Sequence, residues 1–360
     1  MKEFSWRTKV VAMLIMVGLL AGCAGTPPMK HRFYWPPLPD DPKIEWLGAY
    51  RSQHDLPKTG SQLFFEGIFG KDDPIIFNRP SGIAADGEGL VYVCDPLNHA
   101  IVVYDLKNNK VRIFGKNLEQ LFQEPMGIDI DGAGNIYVAD ADAKKIFIFN
   151  KGEKPVGNID LATFVTRPIG IAIDKERKRI IVCDSQGHKI VVIDLAGKHL
   201  FSFGKRGVEE GEFNVPAWAT LLKDGTIVVA DSLNTRVQLF DPAGKFISKF
   251  GKRGDNPGEF QMIKGVARDT EDHIYTVDGK GNNVSIFSPK GEYLLTVGGA
   301  FTAEQKIAPG GFLLPMGIFI DKNNTIYVVD QMNYRFQVFQ YMDERYLKNH
   351  PVETGAASKE

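Results

Sequence analysis

Residues Pro125 to Asp140 read PMGIDIDGAGNIYVAD: an alternating apolar run, a turn built from Asp131, Gly132, Gly134 and Asn135, and a second apolar run that stops at an aspartate. Two period-two runs around a Gly/Asn-rich turn predict an antiparallel hairpin. The same unit recurs on both sides, as PSGIAADGEGLVYVCD (80–95), PIGIAIDKERKRIIVCD (168–184), PAWATLLKDGTIVVAD (216–231), IKGVARDTEDHIYTVD (263–278) and PMGIFIDKNNTIYVVD (315–330). The closing aspartates, Asp95, Asp140, Asp184, Asp231, Asp278 and Asp330, are spaced 45, 44, 47, 47 and 52 residues apart. Six residues after each one an apolar residue opens a third strand: Ile101, Ile146, Ile190, Val237, Val284 and Phe336. A fourth run often follows, as in HLFSFG (199–204), KFISKFG (245–251) and YLLTVG (293–298). Four short strands per period of about 45 residues are the signature of a propeller blade. The predicted fold is therefore all-β, a six-bladed β-propeller with four-stranded antiparallel blades, its copies starting near 77, 122, 164, 213, 260 and 312.

The sixth copy has no clear fourth run after Gln340 and Tyr341, whereas Ile44–Tyr50 (IEWLGAY) is strand-like and has no other home. Pairing of 43–50 with the last blade would leave no open edge, so the propeller is expected to span 43–346. The apolar stretch Ser61 to Phe69 is expected to cover an end of the ring, and 347–360 to form a polar tail.

The N-terminus reads differently. Lys2, Arg7 and Lys9 precede the apolar run Val10 to Leu20, broken by Gly18 alone; as a helix it spans ~16 Å, well short of a bilayer core. This is the pattern of an export signal over 1–22. The residues Leu20-Ala21-Gly22-Cys23 resemble the lipobox of bacterial lipoproteins, which implies cleavage before Cys23 and its acylation. Six prolines in the 17 residues Thr26 to Pro42 favour an extended spacer, so 23–42 is expected to be a tether.

The repeats resemble the NHL family, whose pattern is Pro-x-Gly-Ile-Ala-Val-Asp, then Gly-x-Ile-Tyr-Val-Ala-Asp, then Asn-x-Arg-Ile. The resemblance runs from Phe77 to Tyr341. It departs at Trp218, which takes a glycine position, at Lys264, which follows Ile263 where proline is expected, and at the arginine slot, occupied by Ala100, Lys145, Lys189, Arg236, Asn283 and Arg335. Lipobox and repeats together resemble the NHL-repeat lipoproteins of Gram-negative bacteria. That resemblance implies a lipid-anchored protein of the cell envelope; Ala24, where inner-membrane lipoproteins of enteric bacteria carry aspartate, favours the outer membrane facing the periplasm.

Of the 360 residues, 43 are Lys or Arg and 44 are Asp or Glu, a balance that argues against a nucleic-acid partner. Cys23, Cys94 and Cys183 form no C-x-x-C pair, so neither a disulfide framework nor a thiolate zinc site is expected. Cys94 and Cys183 precede closing aspartates and read as core residues of blades one and three.

The loops entering strand one and leaving strand two share a face of the ring. GKRGVEEG (204–211) and GKRGDNPG (251–258) place Lys205, Arg206, Lys252 and Arg253 there on adjoining blades. They lack the Lys-Ser/Thr ending of a phosphate loop, and read either as a basic rim for an anionic partner or as solvated turns balanced by Glu209, Glu210, Glu212, Asp255 and Glu259. Ser81, Met126, Ile169, Lys264 and Met316 ring the same mouth. Beside them Trp218 either packs the channel or presents an aromatic surface to a ligand.

Some relatives of this architecture are lyases or lactonases with a metal in the channel. Of the histidines His31, His54, His99, His188, His199, His273 and His350, only His99 and His188 share a repeat position, in blades that are not neighbours. That pattern predicts no zinc site, and no residue is assigned a catalytic, cofactor or metal role. Two readings follow. One is a non-catalytic, membrane-tethered extracytoplasmic platform that docks a protein or small ligand on one ring face. The other is a metal-dependent lyase, lactonase or other hydrolase with zinc or calcium in the channel.

Overall fold

In the computed structural model, which describes residues 32–114, 121–301 and 308–352, each repeat hairpin becomes the two inner strands of a blade. The export signal, Cys23 and the last eight residues lie outside the described residues. Blade one runs outward from Ile83–Ala85 through Leu90–Asp95 and Ala100–Asp105 to Lys110–Phe114. Blade two is Pro125–Ile130, Ile136–Asp140, Lys145–Phe149 and Pro155–Asp160. Blade three is Pro168–Asp174, Arg179–Asp184, Lys189–Asp194 and His199–Phe203. Pro216–Leu221, Ile227–Asp231, Arg236–Phe240 and Phe246–Phe250 form blade four. Ile263–Arg268, Ile274–Asp278, Asn283–Phe287 and Tyr293–Val297 form blade five. Blade six begins with Pro315–Ile320, Thr325–Asp330 and Arg335–Tyr341. All six sheets are antiparallel, and the core lies between them, where the alternating residues of one blade meet those of the next. Cys94 and Cys183 are fully buried free thiols in these layers, and burial pushes both thiols up.

The innermost strands touch their neighbours around the ring, with blade six against blade one. Glycine makes that approach possible. A methyl group on Gly127 would lie 2.2 Å from the carbonyl oxygen of Ile169 in blade three, and one on Gly317 would lie 2.3 Å from that of Ser81 in blade one. The Gly317 amide donates to that same Ser81 carbonyl at 3.1 Å, and the Ser81 hydroxyl donates to the Met126 carbonyl at 3.1 Å. Because the obstacle is main chain, Gly127→Ala is expected to cost ~1–3 kcal/mol through overpacking. Denaturant unfolding measures it, and wild-type stability would show that the ring relaxes freely.

Blade six has five strands. β1 (Phe33–Trp35) pairs with β2 (Ile44–Tyr50), and β2 pairs with Arg335–Tyr341, so the sheet ends in chain from both termini of the propeller. Phe33–Trp35 is therefore part of the fold and not spacer: the Trp35 ring packs edge-on against Phe339 at 5.8 Å, and an aromatic strand gains more from burial than from solvation. Trp46 is half-buried against the core of blades five and six and donates its indole N–H to Gln337 at 3.1 Å.

Between β2 and blade one the chain forms helix α1 (Gly60–Phe69), whose first turn is closed by a reciprocal Thr59–Gln62 capping box. Leu56 and Phe77, on either side of it, pack with Tyr104 and Phe336 in the groove between blades six and one. That groove is already filled, so α1 covers no end of the ring and buries no residue; Leu63, Phe64, Phe65, Ile68 and Phe69 are 57–78% exposed. After the last strand, α2 (Glu344–Asn349), capped by Asp343, turns back so that the Tyr346 hydroxyl donates to Glu45 at 3.0 Å.

Candidate functional site

The closing aspartates are buried, and each binds the loop that enters its own blade. In blades one, two, three and five the carboxylate accepts two consecutive backbone amides at 2.6–3.0 Å: Asn78 and Arg79 on Asp95, Gln123 and Glu124 on Asp140, Thr166 and Arg167 on Asp184, Gln261 and Met262 on Asp278. Among the described residues, Asp231 and Asp330 take one such amide each, from Asn214 and Leu313. In those two blades the arginine slot is filled, and Arg236 and Arg335 donate through Nε to the carboxylate at 2.9 and 2.7 Å. The same guanidinium groups reach loop carbonyls, Arg236 at Val208 and Arg335 at Gly311. Asn98, Asn234 and Asn333 complete the cradle on Asp95, Asp231 and Asp330. These constellations satisfy buried charge locally and hold the loops of one face rigid.

On that face GKRGVEEG and GKRGDNPG fold alike. The Phe213 amide donates to the Lys205 carbonyl at 2.8 Å and the Phe260 amide to the Lys252 carbonyl at 2.9 Å. Lys205 and Lys252 reach Glu212 and Glu259 at 3.2 and 3.0 Å; the Glu209 amide, then Lys205, holds the Glu212 carboxyl below the usual range, and Lys252, then the Asn256 amide, does so for Glu259. Arg206 and Arg253 are exposed and, among the described residues, make no ion pair. Lys264 is half-buried, and burial pulls its ammonium down. His99 and His188 join each blade to the next: His99 Nδ1 meets the Gln123 carbonyl, and His188 Nδ1 accepts the Val215 amide at 3.1 Å.

The channel opens at its other end. A cavity of about 640 Å³ begins at Ile83, Ile128, Ile171, Trp218, Val266 and Ile318, just past the glycine constriction, and widens to the turns that join strands one and two. Of the residues singled out from sequence, Trp218 alone lines it; Ser81, Met126, Ile169, Lys264 and Met316 lie on the far side of the constriction, and Lys205, Arg206, Lys252 and Arg253 are in the loops of that same face. Trp218 is 6% exposed, packed with Ala217, Ile263 and Val266, and closes the inner end of the cavity.

The walls are apolar and the rim is charged. Asp129 stands where the other inner strands carry Ala84, Ala172, Thr220, Ala267 or Phe319, and its carboxylate accepts the Ile130 and Ile173 amides at 2.7 and 2.8 Å. Burial pushes its carboxyl up, and the nearby Lys175 ammonium draws it partly back. Asp269 and Asp321 serve their own turns, each accepting a tyrosine hydroxyl, from Tyr275 and Tyr327; the hydrogen bond that His273 Nδ1 makes to Asp269 raises the imidazole. Arg268 is held by Asp272 and Arg177 by Asp174. Lys175 and Lys223, on neighbouring blades, are exposed and form no ion pair among the described residues. These rim residues read in sequence only as turn chemistry; the recurrence of charge at the end of every first strand was the available signal. Among the described residues no three His, Cys, Asp or Glu side chains converge as a metal site would require.

The model of a family described as a 6-bladed beta-propeller matches residues 220–282, and the NHL repeat model matches residues 77–114. No curated protein matches the chain. A protein of unknown function from Bacteroides thetaiotaomicron has a similar structure, with TM-score 0.60 and 17% identity over 73% of this chain and 70% of that one. An auxiliary nutrient binding protein from Bacteroides ovatus gives TM-score 0.56 and 14% identity over 73% and 69% of the two chains. A streptogramin B lyase gives 0.55 and 15% over 72% and 93%. At these identities the likeness is one of fold. Repeats, ring and matches agree that the chain is a six-bladed β-propeller, with residues 77–114 of its first blade matching the NHL repeat.

Proposed function

We propose that the protein is a lipid-anchored binding platform of the Gram-negative cell envelope, held through Cys23 to the outer membrane facing the periplasm, and that its ligand enters the open mouth of the channel. The observation that carries this reading is the cavity itself: about 640 Å³, closed at one end by Trp218, apolar along its walls and charged at its rim. Its size is that of small-molecule sites, and it also admits a protruding segment of a protein partner. Lys175 and Lys223, exposed at the rim and without an ion pair among the described residues, favour a ligand with an apolar body and an acidic group, the exposed Glu176 sharing the rim with them. A structural neighbour described as a nutrient binding protein supports a binding role. The lyase neighbour keeps an enzymatic reading in view, but the histidines here serve blade junctions and a turn, and the described residues bring no three metal ligands together.

The test is a thermal-shift screen of amino acids, short peptides, sugars and organic acids against the mature protein and a Thr220→Trp variant, which fills the cavity from its wall. A ligand at one hundred times its Kd adds ~2.7 kcal/mol, a rise of about 5 °C in a domain of this size. A rise in the wild type that vanishes in Thr220→Trp is the expected result. A rise that persists in the variant, or none across the panel, overturns the assignment.

A further inference from the structure

Helix α1 is the one helix of the described residues whose large apolar side chains all face solvent. Phe64, Phe65, Ile68 and Phe69 fall within about 140° of one another around the helix axis, with Gln62 and Glu66 bordering them on the Phe69 side, Glu66 held by Lys58 at 2.7 Å, and Leu63 on the opposite face. With ~200 Å² for each large side chain, the four residues of that face offer about 500 Å² of apolar surface, within what a monomer exposes as its largest patch. That is short of the ~800 Å² per partner of a stable protein interface.

The position of α1 points to its occupant. β1 and β2 are the outermost strands of blade six, and α1 follows β2 at the groove between blades six and one. Helix α1 therefore follows, through a short connection, the outer-edge strands at which the described N-terminal chain enters the fold. Eight residues lie between Cys23 and Arg32, a reach of at most ~30 Å, against about 50 Å for the breadth of a domain of this length. A body on so short a tether rests part of its surface against the bilayer. Charge around the helix selects the lipid: Lys58 and Lys71 are offset by Glu66, Asp72 and Asp73, so nothing draws it to an anionic surface.

We propose that α1 is a membrane-docking helix whose Phe64, Phe65, Ile68 and Phe69 insert into the interface of a neutral phospholipid leaflet and hold the edge of blades six and one against it. This rests on the anchor reading of Cys23, and it adds a second contact that fixes the orientation of the ring.

The test uses the full mature lipoprotein in phosphatidylcholine and phosphatidylethanolamine vesicles. Phe69→Cys carries an environment-sensitive fluorophore, Cys94 and Cys183 being buried. Val208→Cys, 66% exposed on the loop entering blade four, is the control across the ring. The Phe69 probe is expected to shift to the blue on reconstitution and to be quenched several-fold by lipids brominated in their acyl chains, with the Val208 probe unchanged. Vesicle-bound protein with an unquenched Phe69 probe overturns the docking helix and leaves the anchor standing. A blue shift without quenching, accompanied by cross-linked dimers, assigns the patch to a second copy and likewise overturns it. Mass spectrometry showing no acyl chain on Cys23 overturns the anchor and the proposal with it.

Discussion

Removal of Ile44–Tyr50 is expected to abolish cooperative unfolding of the ring. β2 is the only partner of the outer edge of Arg335–Tyr341 among the described residues, and it pairs with that strand from Ile44 opposite Tyr341 to Tyr50 opposite Phe336. Without it, Phe336, Val338 and Phe339 lose cover, and a flat strand edge rich in β-formers faces solvent, the arrangement that invites edge-to-edge association. Ile44 alone is 1% exposed, so even Ile44→Ala should cost ~2–5 kcal/mol. Calorimetry of the deletion should show a broad, lowered transition with aggregation. A sharp transition at the wild-type Tm would mean that blade six closes without its N-terminal strands.

The second large effect is expected at Arg335→Ala, with a loss of ~3–5 kcal/mol because one partner of a fully buried ion pair is removed and the other stays. Arg335 and Asp330 are 1% and 0% exposed, and the pair also carries Asn333 and Gln337. Burial pushes the Asp330 carboxyl up, and Arg335 is the first of the groups that draw it back. In the variant that carboxyl rises further. An acid raised in the folded state contributes stability below its unfolded value of ~3.9 and loses it as pH rises through the folded value. The deficit of Arg335→Ala should therefore be fully developed at neutral pH and shrink toward pH 4. Lys145→Ala, at the same slot in blade two, should fall within ~0.5 kcal/mol of wild type, because Asp140 is satisfied by the Gln123, Glu124 and Ala143 amides. Equal losses at both positions would refute this division of labour.

The blades were legible because each hairpin states its own physics: Ile128 and Ile130 face Val138 and Ile136 across a Gly-Asn turn, and nothing distant is needed to predict it. The open end of the channel was not legible. It depends on Gly127 meeting a carbonyl more than forty residues away, and the residue that closes the inner end, Trp218, announces a departure from the repeat without saying which side of the constriction it faces. Asp129 stands out in sequence as a carboxylate where the other blades carry Ala, Thr or Phe, but a polar residue in an inner strand has meaning only once its cross-blade amide, Ile173, is known. The exposure of α1 was hidden for a different reason. An apolar run of this length looks the same whether it is covered or bare, and only the prior filling of the groove by Leu56 and Phe77 decides between them.

The pairing of β2 with Arg335–Tyr341 also sets an order of events for the nascent chain. Trp46 and its hydrogen-bond partner Gln337 are 291 residues apart, so the earliest strands of the fold wait for nearly the last residues to be delivered. Joining ends so remote is slow and gains nothing until it is complete. Blades one to five can form as they emerge, but a chain cut short by premature termination keeps an unsealed seam and the sticky edges that quality-control proteases recognise. The ring thus gauges its own synthesis: only a polypeptide that has reached Tyr341 can shut.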